Sequence, residues 1–358
     1  MKNETYCVIM AGGVGSRFWP LSKEETPKQF IDVLGTGRSL IQQTFDRFKP
    51  ICVENNFYVV TSVDYKKIVQ EQLPEINPNN ILCEPSRKNT APCIAYAMTR
   101  IEKENPNAKV IVSPADHLVQ KDEEFRHVIT EGINFVTKSD TLLTLGIKPS
   151  HPETGYGYIQ VETKPSKKDE IVKVKTFTEK PNYELAKVFV ESGEFFWNSG
   201  IFIWSLKSIN NAFRELLPEV SNLFTNNISK FGTEEESKII EKIYFDCKSI
   251  SIDYGIMEKA NNVHVLIAEF GWSDLGTWGS LYSHSTQDQN GNSKIKGNVL
   301  FYESTNNIVN VTSDKIAVIH GLNNYIVVET EGEILICKKE DEQQIRQFSS
   351  DIKTAFGK

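Results

Sequence analysis

The chain has 358 residues, 39% of them apolar and 24% charged, the balance of an ordinary globular protein with one large domain and an appendage. The formal net charge is −7 with no basic tract, so a nucleic-acid surface is not expected, and an anionic ligand needs local cations, backbone N–H groups or a metal ion. No apolar run is long enough to span a bilayer, so no membrane partner is expected either.

The opening MKNETYCVIMAGG lacks the basic-then-apolar pattern of a signal peptide. The six cysteines are scattered, and Cys7, Cys93 and Cys337 sit among apolar residues, as small core residues of a reducing compartment do. A cytoplasmic protein is the expectation.

Residues 6–9 read as a buried strand. An irregular loop follows at 10–30, MAGGVGSRFWPLSKEETPKQF. Ser39 to Gln42 opens a helix with the S-x-x-Q capping-box pattern. Strands are predicted at 57–61, 81–83, 109–113 and 141–147, and helices at 64–73 and 90–104. Thr90 is the expected N-cap of the second helix, with Pro92 in its first turn. This order predicts an α/β fold, a doubly wound, mostly parallel sheet with helices on both faces. Ligands bind such sheets at the carboxyl ends of the strands, where the opening loop lies. After about Ser293 the texture changes to short alternating strands and a last helix near 340–348. A small β-rich C-terminal appendage is expected, with a short left-handed β-helix as one form of it. The string 287–293 (QDQNGNS) reads as the linker, giving domains 1–286 and 287–358.

Three glycine-loop chemistries compete for residues 12–17. A P-loop needs G-x-x-x-x-G-K-[ST], which is missing near any strand end. A dinucleotide fingerprint fails because its sixth position is Phe18 and Pro20 interrupts the helix. The third is a loop wrapped around a nucleoside triphosphate. Gly12, Gly13 and Gly15 let the main chain point N–H groups at phosphate oxygens. Arg17 can fork onto non-bridging oxygens and Lys28 can act as a point charge. A solvated surface turn is the plain alternative. The length of G-G-x-G-x-R-x-x-P-L-S-x4-P-K weighs against it.

Taken with EPSRKNTAP (84–92), SPADH (113–117), ETGYGYI (153–159), FTEKP (177–181), WNSGIF (197–202) and GWSDLGTW (271–278), this string resembles the signature of the sugar-phosphate nucleotidyltransferases. Phe18-Trp19-Pro20 and Pro27-Lys28-Gln29-Phe30 resemble the mannose-1-phosphate guanylyltransferase branch. The resemblance covers roughly the first 280 residues. It implies transfer of GMP from GTP to mannose 1-phosphate, giving GDP-mannose and pyrophosphate, with Mg²⁺ as cofactor. The nucleophile is already anionic, so no general base is needed.

The remaining motifs carry their own chemistry beside that resemblance. Asp116 follows a strand end, a natural place for a Mg²⁺ ligand, and Asp274 supplies the second carboxylate. Alone, either is a common turn residue; together they resemble the family's metal pair. Glu84 can accept from guanine's two donors, with Asn89 and Thr90 as donors at the helix start. Arg87 and Lys88 serve phosphate or are simply solvated. Gly155 and Tyr156 let the backbone pass close to a sugar ring. The resemblance implies that Glu179 accepts from sugar hydroxyls and Lys180 neutralises the sugar phosphate. Asn198 serves a sugar hydroxyl. His117 reads as structural, and the tryptophans as core or pocket walls.

Two other readings stand beside this one: a non-catalytic sugar-nucleotide-sensing homologue, and a transferase for another sugar 1-phosphate. The first is disfavoured because Arg17, Lys28 and both aspartates are present. No fused isomerase domain is expected. There is no oligomer signal, and a homodimer is compatible with the sequence.

Overall fold

A computed structural model describes residues 4–165, 167, 169–330 and 332–357, with Ser16 described by its backbone alone. The chain separates into two compact units. The first holds the N-terminal residues up to Gly12, then Phe45–Ala115 and Val119–Trp272. The second holds Gly13–Thr44, Asp116–Leu118 and the residues from Ser273 onward.

The strands up to residue 273 are β1 (Thr5–Met10), β2 (Phe57–Ser62), β3 (Ile81–Glu84), β4 (Lys109–Pro114), β5 (Leu118–Val119), β6 (Leu142–Ile147), β7 (Gly157–Val161), β8 (Ile171–Glu179), β9 (Phe195–Ser205), β10 (Val263–Ala268) and β11 (Trp272–Ser273). Nine of them form the sheet of the first unit, in the order β3-β2-β1-β4-β9-β6-β10-β8-β7. β1 is parallel to β2 and β4, β2 to β3, and β6 to β10. β9 is antiparallel to β4, β6 and β7, and β8 is antiparallel to β7 and β10. The sheet is therefore mixed, with every strand but β8 and β9 pointing one way. Apolar composition predicts burial but not strand direction, so the two reversed strands were not foreseeable.

Continuous apolar runs suit strands covered on both faces. Tyr6 and Val8 point to one face, with Tyr58, Val60, Val110 and Val112, against Ile94, Met98 and Ile101 of helix Thr90–Glu104. Cys7, Ile9, Val59 and Ile111 alternate with them and are equally buried. Each such side chain contributes about 1.5–3 kcal/mol on burial. Helix Asp122–Lys138 buries Phe125, Val128, Ile129, Ile133 and Val136. Phe125 meets Phe48 and Phe270 edge-on, at ring separations of 5.3 and 5.1 Å.

The second unit contains β12 (Ser293–Lys296), β13 (Asn298–Tyr302), β14 (Ile308–Asn310), β15 (Ile316–His320), β16 (Tyr325–Thr330) and β17 (Glu333–Lys338). β12, β14 and β16 stack in parallel, as do β13 and β15, and β17 closes antiparallel on β16. Asparagines stack between the coils. Asn307 Nδ2 donates to Asn292 Oδ1 at 3.0 Å, and Asn307 Oδ1 accepts from the N–H of Tyr325 at 2.8 Å. The string 287–293 is a closed loop of this unit, with Asp288 Oδ1 accepting from the N–H groups of Asn290 and Asn292 at 2.9 and 2.8 Å.

The last helix lies later than expected. A 3-10 turn, Lys339–Gln344, precedes helix Ile345–Phe356. The polar KEDEQQ string has no apolar stripe, whereas Ile345, Phe348 and Ile352 share one face and pack on a core. Among the described residues no helix is long and apolar enough to cross a membrane.

Candidate functional site

The opening loop belongs to the second unit from Gly13 onward. Phe18 and Trp19 are buried with Leu118, Leu275, Trp278 and Ile345, which fixes the loop from beneath. Phe18 lies 5.1 Å from the Trp278 ring. The loop's carbonyls turn inward. Gln29 Nε2 donates to the carbonyl of Gly13 at 2.8 Å, and Ser22 Oγ to that of Gly15 at 2.5 Å. Among the described residues, the N–H groups of Gly13, Val14 and Gly15 have no acceptor. Gly15 has φ of 61°, and a Cβ there would lie 2.7 Å from Lys28 Cβ. Only glycine satisfies both conditions.

Lys28 is buried beneath this loop. Its Nζ lies 2.9 Å from Asp116 Oδ2 and donates to the carbonyls of Asp274 and Leu275 at 2.7 and 3.0 Å. The sequence reading had Lys28 as a point charge for a phosphate; here all three of its N–H groups also have acceptors within the protein. Leu275 has a φ of 44°, costly for a branched side chain, and its N–H donates to Ser273 Oγ at 3.1 Å. Asp274 Oδ1 accepts from the N–H of Gly276 at 2.8 Å.

Arg17, Lys28, Asp116, His117, Asp274 and Arg346 line one cavity of about 310 Å³ within this unit. Arg17 Nε is buried and has no hydrogen-bond partner among the described residues. Burial opposes ionisation of Asp116, but the charges of Lys28 and His117 and the Lys28 hydrogen bond outweigh it. Its pKa falls below the ordinary carboxylate value. Two carboxylates beside a loop whose N–H groups lack acceptors suit Mg²⁺, which takes one or two carboxylates and completes its shell with phosphate oxygens and water. Among the described residues no group of three or more His, Cys, Asp or Glu side chains gathers into a closed metal cage.

The first unit carries the other predicted residues in two linked clusters. Glu84 ends β3 and is buried. Its Oε1 accepts from the Tyr244 hydroxyl at 2.9 Å, and its Oε2 lies 3.2 Å from where a Gly12 side chain would begin. Burial lifts its pKa to about 7, against the lowering effects of Tyr244 and Arg87. Thr90 is not the N-cap. Asn89, at φ of 68°, takes that place, and its Oδ1 accepts from the N–H of Thr90 at 2.9 Å. The Thr90 hydroxyl is taken instead by the N–H of Ile252, at 2.8 Å. The segment from Ile250 to Ile252 is thereby tied to the helix start, and the carbonyl of Ile250 accepts from Ala91 at 3.1 Å.

The second cluster sits where β7, β8 and β9 meet. Gly157 pairs with Glu179 in the ladder, and Tyr158 with Trp197. A Cβ on Gly157 would lie 2.5 Å from Glu179 Oε2 and 3.5 Å from Asn198 Cβ, so the three residues converge. Tyr156 stands edge-on to Trp197 and to Trp272, at 5.1 Å from each. Its carbonyl accepts from the N–H of Lys180 at 3.2 Å. Lys180 pairs with Glu179, whose side chain is largely covered, while its own stem is exposed. Gly155 is exposed, its N–H donating to Glu153 Oε1 at 2.8 Å. Asn198 Oδ1 accepts from Thr144 Oγ1 at 2.9 Å and the N–H of Gly200 at 3.2 Å. Its Nδ2 donates to Asp253 Oδ1 at 3.0 Å, and its second amide N–H has no acceptor among the described residues. Trp204 and Trp278 are core residues, fully buried.

Sequence reasoning missed Asp253 and Arg346. Asp253 opens a π-helical turn, Asp253–Met257, a form frequent at functional sites. Burial, then the charge of Glu179, lifts its pKa to about 7. A lone carboxylate inside the apolar string ISIDYGIM was the available signal. Arg346 lies far from every recognised motif, and nothing in the sequence points to it.

Residues 6–291 match the sequence family described as nucleotidyl transferase, and residues 297–349 match the MannoseP isomerase/GMP-like beta-helix domain. The chain is 35% identical over 355 residues to a mannose-1-phosphate guanylyltransferase of Escherichia coli, covering 97% of this chain and 75% of that one. It is 35% identical over 353 residues to a mannose-1-phosphate guanylyltransferase of Salmonella muenchen, covering 97% and 73%. A solved structure described as mannose-1-phosphate geranyltransferase from Thermus thermophilus superposes with a TM-score of 0.87 at 28% identity, over 98% of this chain and 99% of that one. The loop geometry, the mixed α/β sheet and these matches agree: the chain belongs to the nucleotidyl transferase family and carries the beta-helix domain after it.

Proposed function

We propose that this chain transfers GMP from GTP to mannose 1-phosphate, giving GDP-mannose and pyrophosphate. The observation that carries the reading is the cavity of the second unit. It sets the buried, unpartnered Arg17 Nε, the ion-paired Lys28 and the carboxylates of Asp116 and Asp274 around one space beside a loop whose amides lack acceptors. Such a site suits a polyphosphate with a divalent cation. The relatives described above, at 35% identity over nearly the whole chain, favour GTP and mannose 1-phosphate as the pair.

In this reading, an oxygen of the sugar phosphate attacks the α-phosphorus in line. The bond from that oxygen to phosphorus forms as the bond to the β-bridging oxygen breaks, and pyrophosphate leaves with the electron pair. The nucleophile is anionic from the start, so catalysis is positioning and charge neutralisation. Gly12, Gly13, Gly15 and Arg17 hold the triphosphate. Lys28 holds Asp116 and the Asp274 backbone in place and adds charge to the cavity. Asp116 and Asp274 would hold Mg²⁺, which when bound supplies positive charge to the phosphate oxygens. Glu84 reads the base, with Asn89 and Thr90 shaping the helix start beside it. Gly155, Tyr156, Glu179, Lys180 and Asn198 bind the sugar phosphate.

A cytoplasmic location and a division at 286/287 belong to the same reading, and the family matches change from one to the other a few residues later, between 291 and 297. The test is product identification. The full chain is incubated with GTP, mannose 1-phosphate and Mg²⁺, and GDP-mannose is sought by chromatography and mass. A mixture that yields none rejects the reading.

A further inference from the structure

We propose that Arg346 is a phosphate-binding residue: with Arg17 it holds the terminal phosphates of the incoming triphosphate and the pyrophosphate made from them. The proposal rests on the nucleotidyl-transfer reading and adds a residue to it from the last helix, beyond the nucleotidyl transferase match.

Three observations carry it. The first is position. Arg346 lines the same cavity as Arg17, Lys28, Asp116 and Asp274. The residue before it, Ile345, is fully buried in the cluster that holds Phe18, the residue after Arg17. Both guanidinium-bearing residues are therefore anchored through one packed core. The second is pairing. Other cations of this unit have carboxylate partners: Lys23 with Glu333, Lys353 with Glu24, Lys315 with Glu329. Arg17 and Arg346 have neither a hydrogen bond nor an ion pair among the described residues. The third is charge. Partial desolvation lowers the pKa of Arg346, and the neighbouring charge of Arg17 lowers it further. Two like charges lining one cavity, neither of them ion-paired, repel, and a bound anion relieves the repulsion.

The chemistry of the two side chains selects the ligand. Guanidinium groups fork onto pairs of phosphate oxygens, and two of them grip adjacent phosphate groups better than one. The terminal phosphates carry most of the charge of a triphosphate and depart together as pyrophosphate. Of the two carboxylates in the same cavity, Asp116 is engaged by Lys28 at 2.9 Å and Asp274 Oδ1 accepts from the N–H of Gly276 at 2.8 Å, and neither is paired with either of the two arginines.

The experiment uses the full chain with Mg²⁺ and compares it with Arg346→Ala, Arg346→Lys and Arg346→Gln. Dissociation constants for pyrophosphate, GTP and GDP-mannose are measured by titration calorimetry. Arg346 is exposed, so all three variants should melt with the parent. Arg346→Ala and Arg346→Gln should weaken pyrophosphate and GTP about tenfold or more, the size of one charge-assisted contact. GDP-mannose, which lacks the departing phosphates, should change little, and Arg346→Lys should recover part of the loss. Parent-like affinity for pyrophosphate and GTP in the alanine variant overturns the proposal. An equal loss for GDP-mannose overturns it too, since the residue then serves another part of the ligand. If the parent makes no GDP-mannose yet binds pyrophosphate through Arg346, the function fails and the site stands.

Discussion

Lys28 Nζ stands 2.9 Å from Asp116 Oδ2 and also donates to the carbonyl oxygens of Asp274 and Leu275. One buried ammonium thus holds in register the two segments that bear the candidate metal carboxylates. It also secures Leu275 in its left-handed conformation. Lys28 is a positioning group as much as a charge for the ligand.

Lys28→Met should therefore cost stability as well as turnover. It leaves two carbonyls and a carboxylate short of a donor, a loss of about 2–4 kcal/mol. Urea unfolding followed by tryptophan fluorescence reads the first effect, and steady-state kinetics the second. A variant as stable as the parent would mean that the three contacts are not made in solution.

Asp116→Asn and Asp274→Asn remove charge while keeping volume. Each should lower kcat/KM about 100-fold or more, with the Mg²⁺ optimum moved to higher concentration. Mn²⁺ binding followed by electron paramagnetic resonance gives a readout independent of turnover. Either variant with parental Mn²⁺ affinity and rate takes that residue out of the metal shell.

Glu84 should set base choice through its carboxylate. Its pKa of about 7 means that it loses its acceptor-only form as pH falls below neutral. The kcat/KM for GTP should then fall between about pH 7.5 and pH 6, while kcat/KM for ATP, which has no matching donors, moves less. Glu84→Gln should lower the GTP-to-ATP ratio by about 1–3 kcal/mol, by analogy with base reading in nucleic acids. An unchanged ratio assigns base choice elsewhere.

The glycine loop was legible in the sequence because backbone demands leave marks that cannot be disguised. Gly15 needs a positive φ and no side chain against Lys28, and both demands are written in one letter. Glu84, Glu179 and Asn198 were legible through their motifs, since each ends a strand or sits within one at a fixed register. The helix cap at Thr90 was misread because Asn89 and Thr90 both suit an N-cap, and only the φ of 68° at Asn89 decides between them. The burial and bonding of Lys28 were not legible, because the carbonyls that receive it come from a segment 246 and 247 residues away. Asp253 was hidden for a related reason. Its partners, Asn198 and Glu179, lie on strands β9 and β8, and only the fold brings a third polar side chain to them.

Asp253→Asn should change how stability depends on pH. The folded-state pKa of about 7 lies above the ordinary value of 3.8, so the folded chain keeps a proton that the unfolded chain releases. That stabilisation is complete below about pH 4 and is lost as pH rises through about 7. Asparagine keeps the acceptor for Asn198 and cannot ionise. The variant should therefore gain stability relative to the parent at about pH 8 and not at about pH 4, by an amount on the order of 4 kcal/mol. Denaturant midpoints at the two pH values measure it. A constant difference between variant and parent would mean that Asp253 titrates normally.

The most direct test of the whole account is pyrophosphate release by the full chain from each of the four nucleoside triphosphates, crossed with mannose, glucose and N-acetylglucosamine 1-phosphates in the presence of Mg²⁺. The account predicts that GTP with mannose 1-phosphate gives the highest kcat/KM, and that every other pair falls well below it. A different best pair, or release from none of them, would contradict it.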